Sequence, residues 1–159
     1  MLPLAPPRKP LPLVEGPFMK DQGIVSPDGR WLAYVSNESG QLGVYVRPFP
    51  SGEGRYQISA GAGTEPRWSM DGRELFYRWG GILRVAIEAG RVFRAGKPEV
   101  LFDRVATGAL VSTYGPSPDG KRFFTFRSSG AVGSRTAVAL DRGFASRLAA
   151  GTTDSRRAP

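Results

Sequence analysis

The side chains that recur in this chain with chemistry to offer are serine, aspartate and arginine. Its 159 residues contain no cysteine and no histidine. Without cysteine there is no disulfide, no thiolate nucleophile and no Cys-ligated zinc. Without histidine there is no Ser-His-Asp triad, no His-metal site and none of the commonest general base. Phosphoryl-transfer signatures are missing too: there is no Gly-rich loop followed by a strand lysine, no His-Arg-Asp and no Asp-Phe-Gly. The Gly-x-Ser-x-Gly elbow of serine hydrolases is also absent. What remains is a short polar motif, Ser-x-Asp-Gly followed by a basic residue, written three times.

The copies are Ser26-Pro27-Asp28-Gly29-Arg30, Ser69-Met70-Asp71-Gly72-Arg73 and Ser117-Pro118-Asp119-Gly120-Lys121. A carboxylate beside a hydroxyl could begin a calcium loop, but such loops place several oxygen ligands at alternate positions. Each copy offers one Asp, so the expectation is that no metal, cofactor or catalytic residue resides here and that the chain is not an enzyme. The motif reads instead as a turn. Serine accepts a local hydrogen bond where the turn starts, and proline at the next position presets φ. Aspartate bonds its own backbone, and glycine supplies the positive φ that reverses the chain. Ser26, Asp28, Gly29, Ser69, Asp71, Gly72, Ser117, Asp119 and Gly120 are therefore read as structural turn residues of a hairpin.

The three Asp residues lie 43 and 48 positions apart. A period in the forties with β-type residues is the length of one four-stranded propeller blade. Trp31 to Val35, Leu75 to Tyr77 and Phe123 to Phe126 follow the turns as consecutive apolar runs, which implies strands covered on both faces. With 21 glycines and 14 prolines the composition argues against a helical bundle. The predicted fold is all-β: a partial β-propeller of about three four-stranded antiparallel blades, a fragment of a six- to eight-bladed ring.

Blade one (17–62) is expected to use Gln22 to Val25, Trp31 to Ser36, Leu42 to Arg47 and Tyr56 to Ser59. Blade two (63–104) uses Thr64 to Trp68, Glu74 to Tyr77, Ile82 to Ile87 and Glu99 to Phe102. An incomplete blade three (105–141) uses Val111 to Tyr114, Arg122 to Arg127 and Thr136 to Leu140. Leu11 to Val14, within 1–16, reads as the outer strand of a preceding blade. Residues 142–159 are small and polar and read as a disordered tail.

The formal charge is +8, which raises nucleic acid or an anionic surface as a partner. The cations are mostly Arg and scattered singly, with no basic run and no interleaved aromatic platform. Nucleic acid is therefore an unfavoured partner. No stretch approaches the ~18 apolar residues of a membrane span, and the first residues lack the pattern of a signal peptide, so the compartment stays open.

The segment from Ser26-Pro27-Asp28-Gly29-Arg30-Trp31-Leu32-Ala33-Tyr34 to Val44-Tyr45-Val46-Arg47-Pro48-Phe49-Pro50 resembles the TolB-like (WD-repeat-like) β-propeller repeat of bacteria. Tyr56-Gln57-Ile58-Ser59 and Gly63-Thr64-Glu65-Pro66-Arg67-Trp68-Ser69 continue the resemblance, which covers about residues 2 to 140. The third blade departs from it: the family closes with Asn-Trp, where this chain has Asp141-Arg142-Gly143-Phe144. The resemblance implies a non-catalytic scaffold for protein or ligand binding, such as the C-terminal propeller of a kinase-fused sensor or signalling protein. The alternatives are a periplasmic envelope assembly component and a weak binder of nucleic acid or anionic surfaces. Three blades leave a ring incomplete, so the expected partners are the remaining blades of a longer chain, a protein, or a second copy completing six blades through Leu11 to Val14. Arg47, Arg55, Glu65, Arg78 and Trp79 stand out as loop residues without a spacing that makes them a site.

Overall fold

The computed structural model describes residues 12–51, 53–90, 92–103, 114–120, 122–128 and 135–141, with the backbone alone at 125–128 and 135–141. The expected tail at 142–159, residues 111–113 of the expected Val111 to Tyr114 strand, and Leu11 lie outside these. Among the described residues there is no helix, and every strand pairing is antiparallel. The first sheet orders β1 (Lys20–Val25), β2 (Trp31–Ser36), β3 (Gly43–Pro48) and β4 (Tyr56–Gln57) as they occur in the chain. The second contains β5 (Thr64–Trp68), β6 (Glu74–Trp79) and β7 (Gly81–Ala89); β8 (Phe93–Ala95) and β9 (Glu99–Phe102) both pair with β7. The third is β10 (Tyr114–Pro116), β11 (Arg122–Ser128) and β12 (Arg135–Asp141).

All six residues of β2 are buried, because its two faces meet different neighbours. Trp31, Ala33 and Val35 join Val44, Val46 and Ile58 against Trp68, Leu75, Tyr77, Val85 and Ile87 of the second sheet. Leu32 and Tyr34 turn to the opposite face with Tyr45. The second sheet repeats the scheme, sending Phe76, Ile82 and Phe102 against Tyr114 and Phe123 of the third. Each inter-sheet layer is thus made of alternate residues from two neighbours, and a buried side chain of this size stabilises by about 1.5–3 kcal/mol.

Two differences from the sequence reading have physical causes. Strand β7 runs nine residues and then folds back as β8, an element the periodicity did not show. β8 is held by tertiary contact: Phe93 is 3% exposed, with ring centroids 4.7 Å from both Trp31 and Tyr56 of the first sheet. The Arg30 Nη2 donates across the same boundary to the Ala89 carbonyl at 2.8 Å. The second difference is at the expected outer strand Leu11 to Val14. Its described part, Pro12 to Val14, forms no strand. Pro12 lacks a backbone donor, and Leu13 and Val14 spend their apolar surface on Leu32, Tyr34 and Tyr45 instead. The Leu13 carbonyl accepts from Arg47 Nη1 at 2.9 Å.

One glycine is fixed by close approach. A Cβ on Gly81 would lie 2.1 Å from the Phe102 carbonyl oxygen, so only glycine lets β9 pair beside the start of β7.

Truncating Phe93 to Ala is expected to cost about 3 kcal/mol, measured by urea unfolding, whereas Val92→Ala, 63% exposed next to it, changes stability by less than about 0.5 kcal/mol. Equal effects at the two positions would mean that β8 is no part of the inter-sheet core.

Candidate functional site

The three Ser-x-Asp-Gly turns have one geometry. In the first, Ser26 N donates to the Trp31 carbonyl at 2.8 Å and Gly29 N donates back to the Ser26 carbonyl at 2.9 Å. The Ser26 hydroxyl donates to Asp28 Oδ1 at 2.5 Å while its oxygen accepts from Trp31 N at 3.0 Å. Asp28 Oδ1 also accepts from Arg30 N at 3.2 Å. Ser69, Asp71 and Gly72 repeat this, with hydroxyl-to-carboxylate and amide-to-hydroxyl distances of 2.6 and 2.9 Å. In the third turn Ser117 donates to Asp119, and Arg122 N donates to the Ser117 hydroxyl oxygen at 2.9 Å. Gly29, Gly72 and Gly120 have φ of 72°, 69° and 65°, the left-handed region that glycine occupies at least cost.

The serine hydroxyl, aimed at the carboxylate, is the largest influence holding Asp28 and Asp71 below the ordinary value of 3.8. These carboxylates are therefore committed acceptors, ionised at neutral pH, and poor proton donors.

A second constellation lies on the inner strands, and the sequence reading missed it. Gln22 and Glu65 both adopt positive φ, 53° and 55°, four positions before Ser26 and Ser69, at the register shifts of β1 against β2 and β5 against β6. Positive φ is uncommon outside glycine. Here the resulting bulge re-aims each residue toward the next sheet. Gln22 Oε1 accepts from Glu65 N at 2.6 Å, and the Glu65 carbonyl accepts from Tyr114 Oη at 2.5 Å. Glu65 is 8% exposed and ion-paired with Arg78. Burial pushes the Tyr114 hydroxyl far up, so it stays a protonated donor. The shared phase of Gln22 and Glu65 was visible in the 43-residue period; their common conformation was not, because an amide and an acid share no motif.

Of the five residues read as loop positions only Arg55 lies outside a strand: Arg47 is in β3, Glu65 in β5, and Arg78 and Trp79 in β6, because the strands run on into positions that carry charged and aromatic side chains. Glu65 and Arg78 meet; Trp79 stands 59% exposed at the next turn. Arg47 and Arg55 line a cleft of about 460 Å³ with Lys20, Tyr34 and Glu38, closed on one side by Val14 to Phe18. Arg55 Nε lies 3.0 Å and Lys20 Nζ 3.7 Å from the Glu38 carboxylate. A second cleft, about 510 Å³, opens between the first two Ser-x-Asp-Gly turns, with Arg30, Arg73, Asp28 and Asp71 on its walls. Among the described residues Arg30, Arg84 and Arg122 are each ion-paired as well. Among the described residues no group of three or more acidic side chains could hold a metal ion.

No protein-family model and no curated protein matches the chain. Among solved structures, the crystal structure of TolB from Acinetobacter baumannii superposes on 81% of this chain with a TM-score of 0.53 and 20% identity. The fold is that of a TolB-like β-propeller. The chain spans 31% of that TolB chain, so the three sheets are consecutive blades of a partial propeller. No helix of the described residues is long and apolar enough to cross a membrane.

The turn geometry sets an acid dependence. Because the folded pKa values of Asp28 and Asp71 are depressed, their contribution is complete above the unfolded value of about 3.9 and is lost as pH falls through the folded values. Urea unfolding at pH 7 and pH 3 is expected to show a smaller acid loss in Asp28→Asn/Asp71→Asn than in the parent chain. Ser69→Ala is expected to lose about 1–2 kcal/mol at pH 7, and an unchanged midpoint would show that the hydroxyl is dispensable to the turn.

Proposed function

We propose that this propeller is a non-catalytic scaffold that binds a protein or small ligand, serving a sensor or signalling protein. The supporting observation is the fate of the buried polar side chains. Among the described residues these are Ser26, Ser36, Ser59, Glu65, Ser69 and Ser117. Ser26, Ser69 and Ser117 close turns, and Ser36 accepts from Lys20 Nζ. Ser59 accepts from Val44 N and donates to the Gly61 carbonyl, while Glu65 pairs with Arg78. The five serines are engaged in holding the sheets and Glu65 commits one carboxylate oxygen to Arg78, its Oε2 being buried without a hydrogen-bond partner; this fits a molecule that presents surfaces rather than reactive groups. The clefts and the exposed Trp79 turn are the surfaces available for recognition, and they combine aromatic faces with both signs of charge, as binding sites commonly do.

A second reading, an envelope assembly component, is favoured by the likeness to TolB. It differs in compartment: the parent protein would be found outside the inner membrane.

The test pairs a thermal-shift screen of the purified chain against amino acids, short peptides, nucleotides and sugars with turnover assays on ester, amide and phosphate substrates. The expected outcome is ligand-dependent stabilisation without turnover. Turnover that disappears in Asp28→Asn or Asp71→Asn would overturn the scaffold reading. Fractionation of cells carrying the parent protein separates the two alternatives.

A further inference from the structure

The cleft of about 510 Å³ between the first two Ser-x-Asp-Gly turns is of small-ligand size, and its charges are unevenly used. Arg30 Nε lies 2.7 Å from Asp28 Oδ2, and its Nη2 donates to the Ala89 carbonyl, which fixes the end of β7 as one wall. One repeat later Arg73 holds the same place in the motif. Its guanidinium makes no ion pair or hydrogen bond among the described residues. Asp119 Oδ2 has a cation, Arg122 at 3.4 Å. Asp71 has none within ion-pair distance among the described residues, and the bonds from Ser69 and the Arg73 amide both end on its Oδ1. Glu88, exposed on the β7 wall, is likewise without a hydrogen bond or ion pair among the described residues. A buried group adds an independent observation. Trp31 lines the same cleft at 8% exposure, and its indole N–H is buried without an acceptor. An indole nitrogen only donates, and a buried donor left unpaired is costly.

We propose that this cleft binds a zwitterion: the ammonium and carboxylate of an apolar amino acid or of a short peptide. The carboxylate goes to Arg73 and the Trp31 indole N–H, and the ammonium to Asp71 and Glu88. Ile87 and Ala89, which also line the cleft, take the apolar side chain. An anion alone would face the carboxylates of Asp28, Asp71 and Glu88, and a cation alone the guanidiniums of Arg30 and Arg73. A ligand carrying both signs answers both. The wall that bears Glu88 is held in place before any ligand arrives, by Arg30 on the Ala89 carbonyl and by Phe93 against Trp31, which spares the cost of ordering it. This inference deepens the binding-scaffold reading and rests on it.

Isothermal titration of the purified chain tests this with L-leucine and L-leucyl-L-leucine as probes. N-acetyl-L-leucine, which lacks the ammonium, and L-leucinamide, which lacks the carboxylate, are titrated beside them. Arg73→Gln and Glu88→Gln each remove one charge from an exposed side chain that makes no bond in the fold among the described residues. The expected result is saturable binding of L-leucine or its dipeptide with a Kd below about 10 mM. Either variant, or either blocked derivative, weakens it at least about tenfold. Tighter binding of leucine identifies a free amino acid as the ligand, and tighter binding of the dipeptide a peptide. No binding of either probe, or affinities that both variants leave unchanged, would overturn the zwitterion site. A different ligand that stabilises Arg73→Gln and Glu88→Gln as it does the parent chain would overturn this cleft and leave the scaffold reading standing, whereas turnover would overturn the scaffold reading itself.

Discussion

A sheet that is apolar on both faces has no stable existence in water as a single layer, and this molecule follows from that constraint. The strand Trp31–Ser36 buries every residue, which requires a neighbour on each side. The second blade covers one face and a short N-terminal segment covers the other. Burial at this density makes the blades mutually dependent: Phe123 has a place only because Phe76 and Phe102 do, with ring centroids 4.7 and 5.4 Å away in edge-on contact. Stability in such a stack is a property of the boundaries as much as of the units.

The polar chemistry is subordinate to that layering. Three hydroxyl–carboxylate pairs set the reversals that place successive strands side by side. In the first two the serine hydroxyl holds Asp28 and Asp71 below the ordinary carboxylate range, which suits an acceptor of backbone amides and not a group that must exchange protons. Among the described residues several arginines close on nearby acids or carbonyls, as Arg78 does on Glu65 and Arg30 on Asp28 and Ala89. A positively charged protein can therefore present a surface of mixed sign.

Much of this architecture was legible in the residues. Ser-x-Asp-Gly has few conformations open to it, and consecutive apolar residues after it leave strands covered on both sides as the simplest outcome. The strands Trp31–Ser36 and Thr64–Trp68 have the limits read from their composition. What could not be read is what depends on contact across the stack. The β8 hairpin exists because Phe93 finds Trp31 and Tyr56, residues some 60 and 40 positions away. Leu13 and Val14 carry strand-type side chains but have no ladder to join, so packing overrides propensity. The bulges at Gln22 and Glu65 escaped notice for a related reason: their backbone conformation is selected by the next blade and not by their own identity.

Those bulges give the array a direction. Gln22 offers an acceptor forward to the amide of Glu65, and the carbonyl of Glu65 receives the hydroxyl of Tyr114, so each junction has its own donor and acceptor grammar. The repeats are consequently not interchangeable tiles. Swapping the first and second blades would preserve every turn motif and most of the apolar volume, and the backbone carbonyl that Tyr114 uses would still be there, but the first seam would set a charged carboxylate in place of the neutral Gln22 amide oxygen. The blades are thus told apart at the seams, where Gln22 contributes a side-chain oxygen and Glu65 a backbone one, and not at the turns, which are alike.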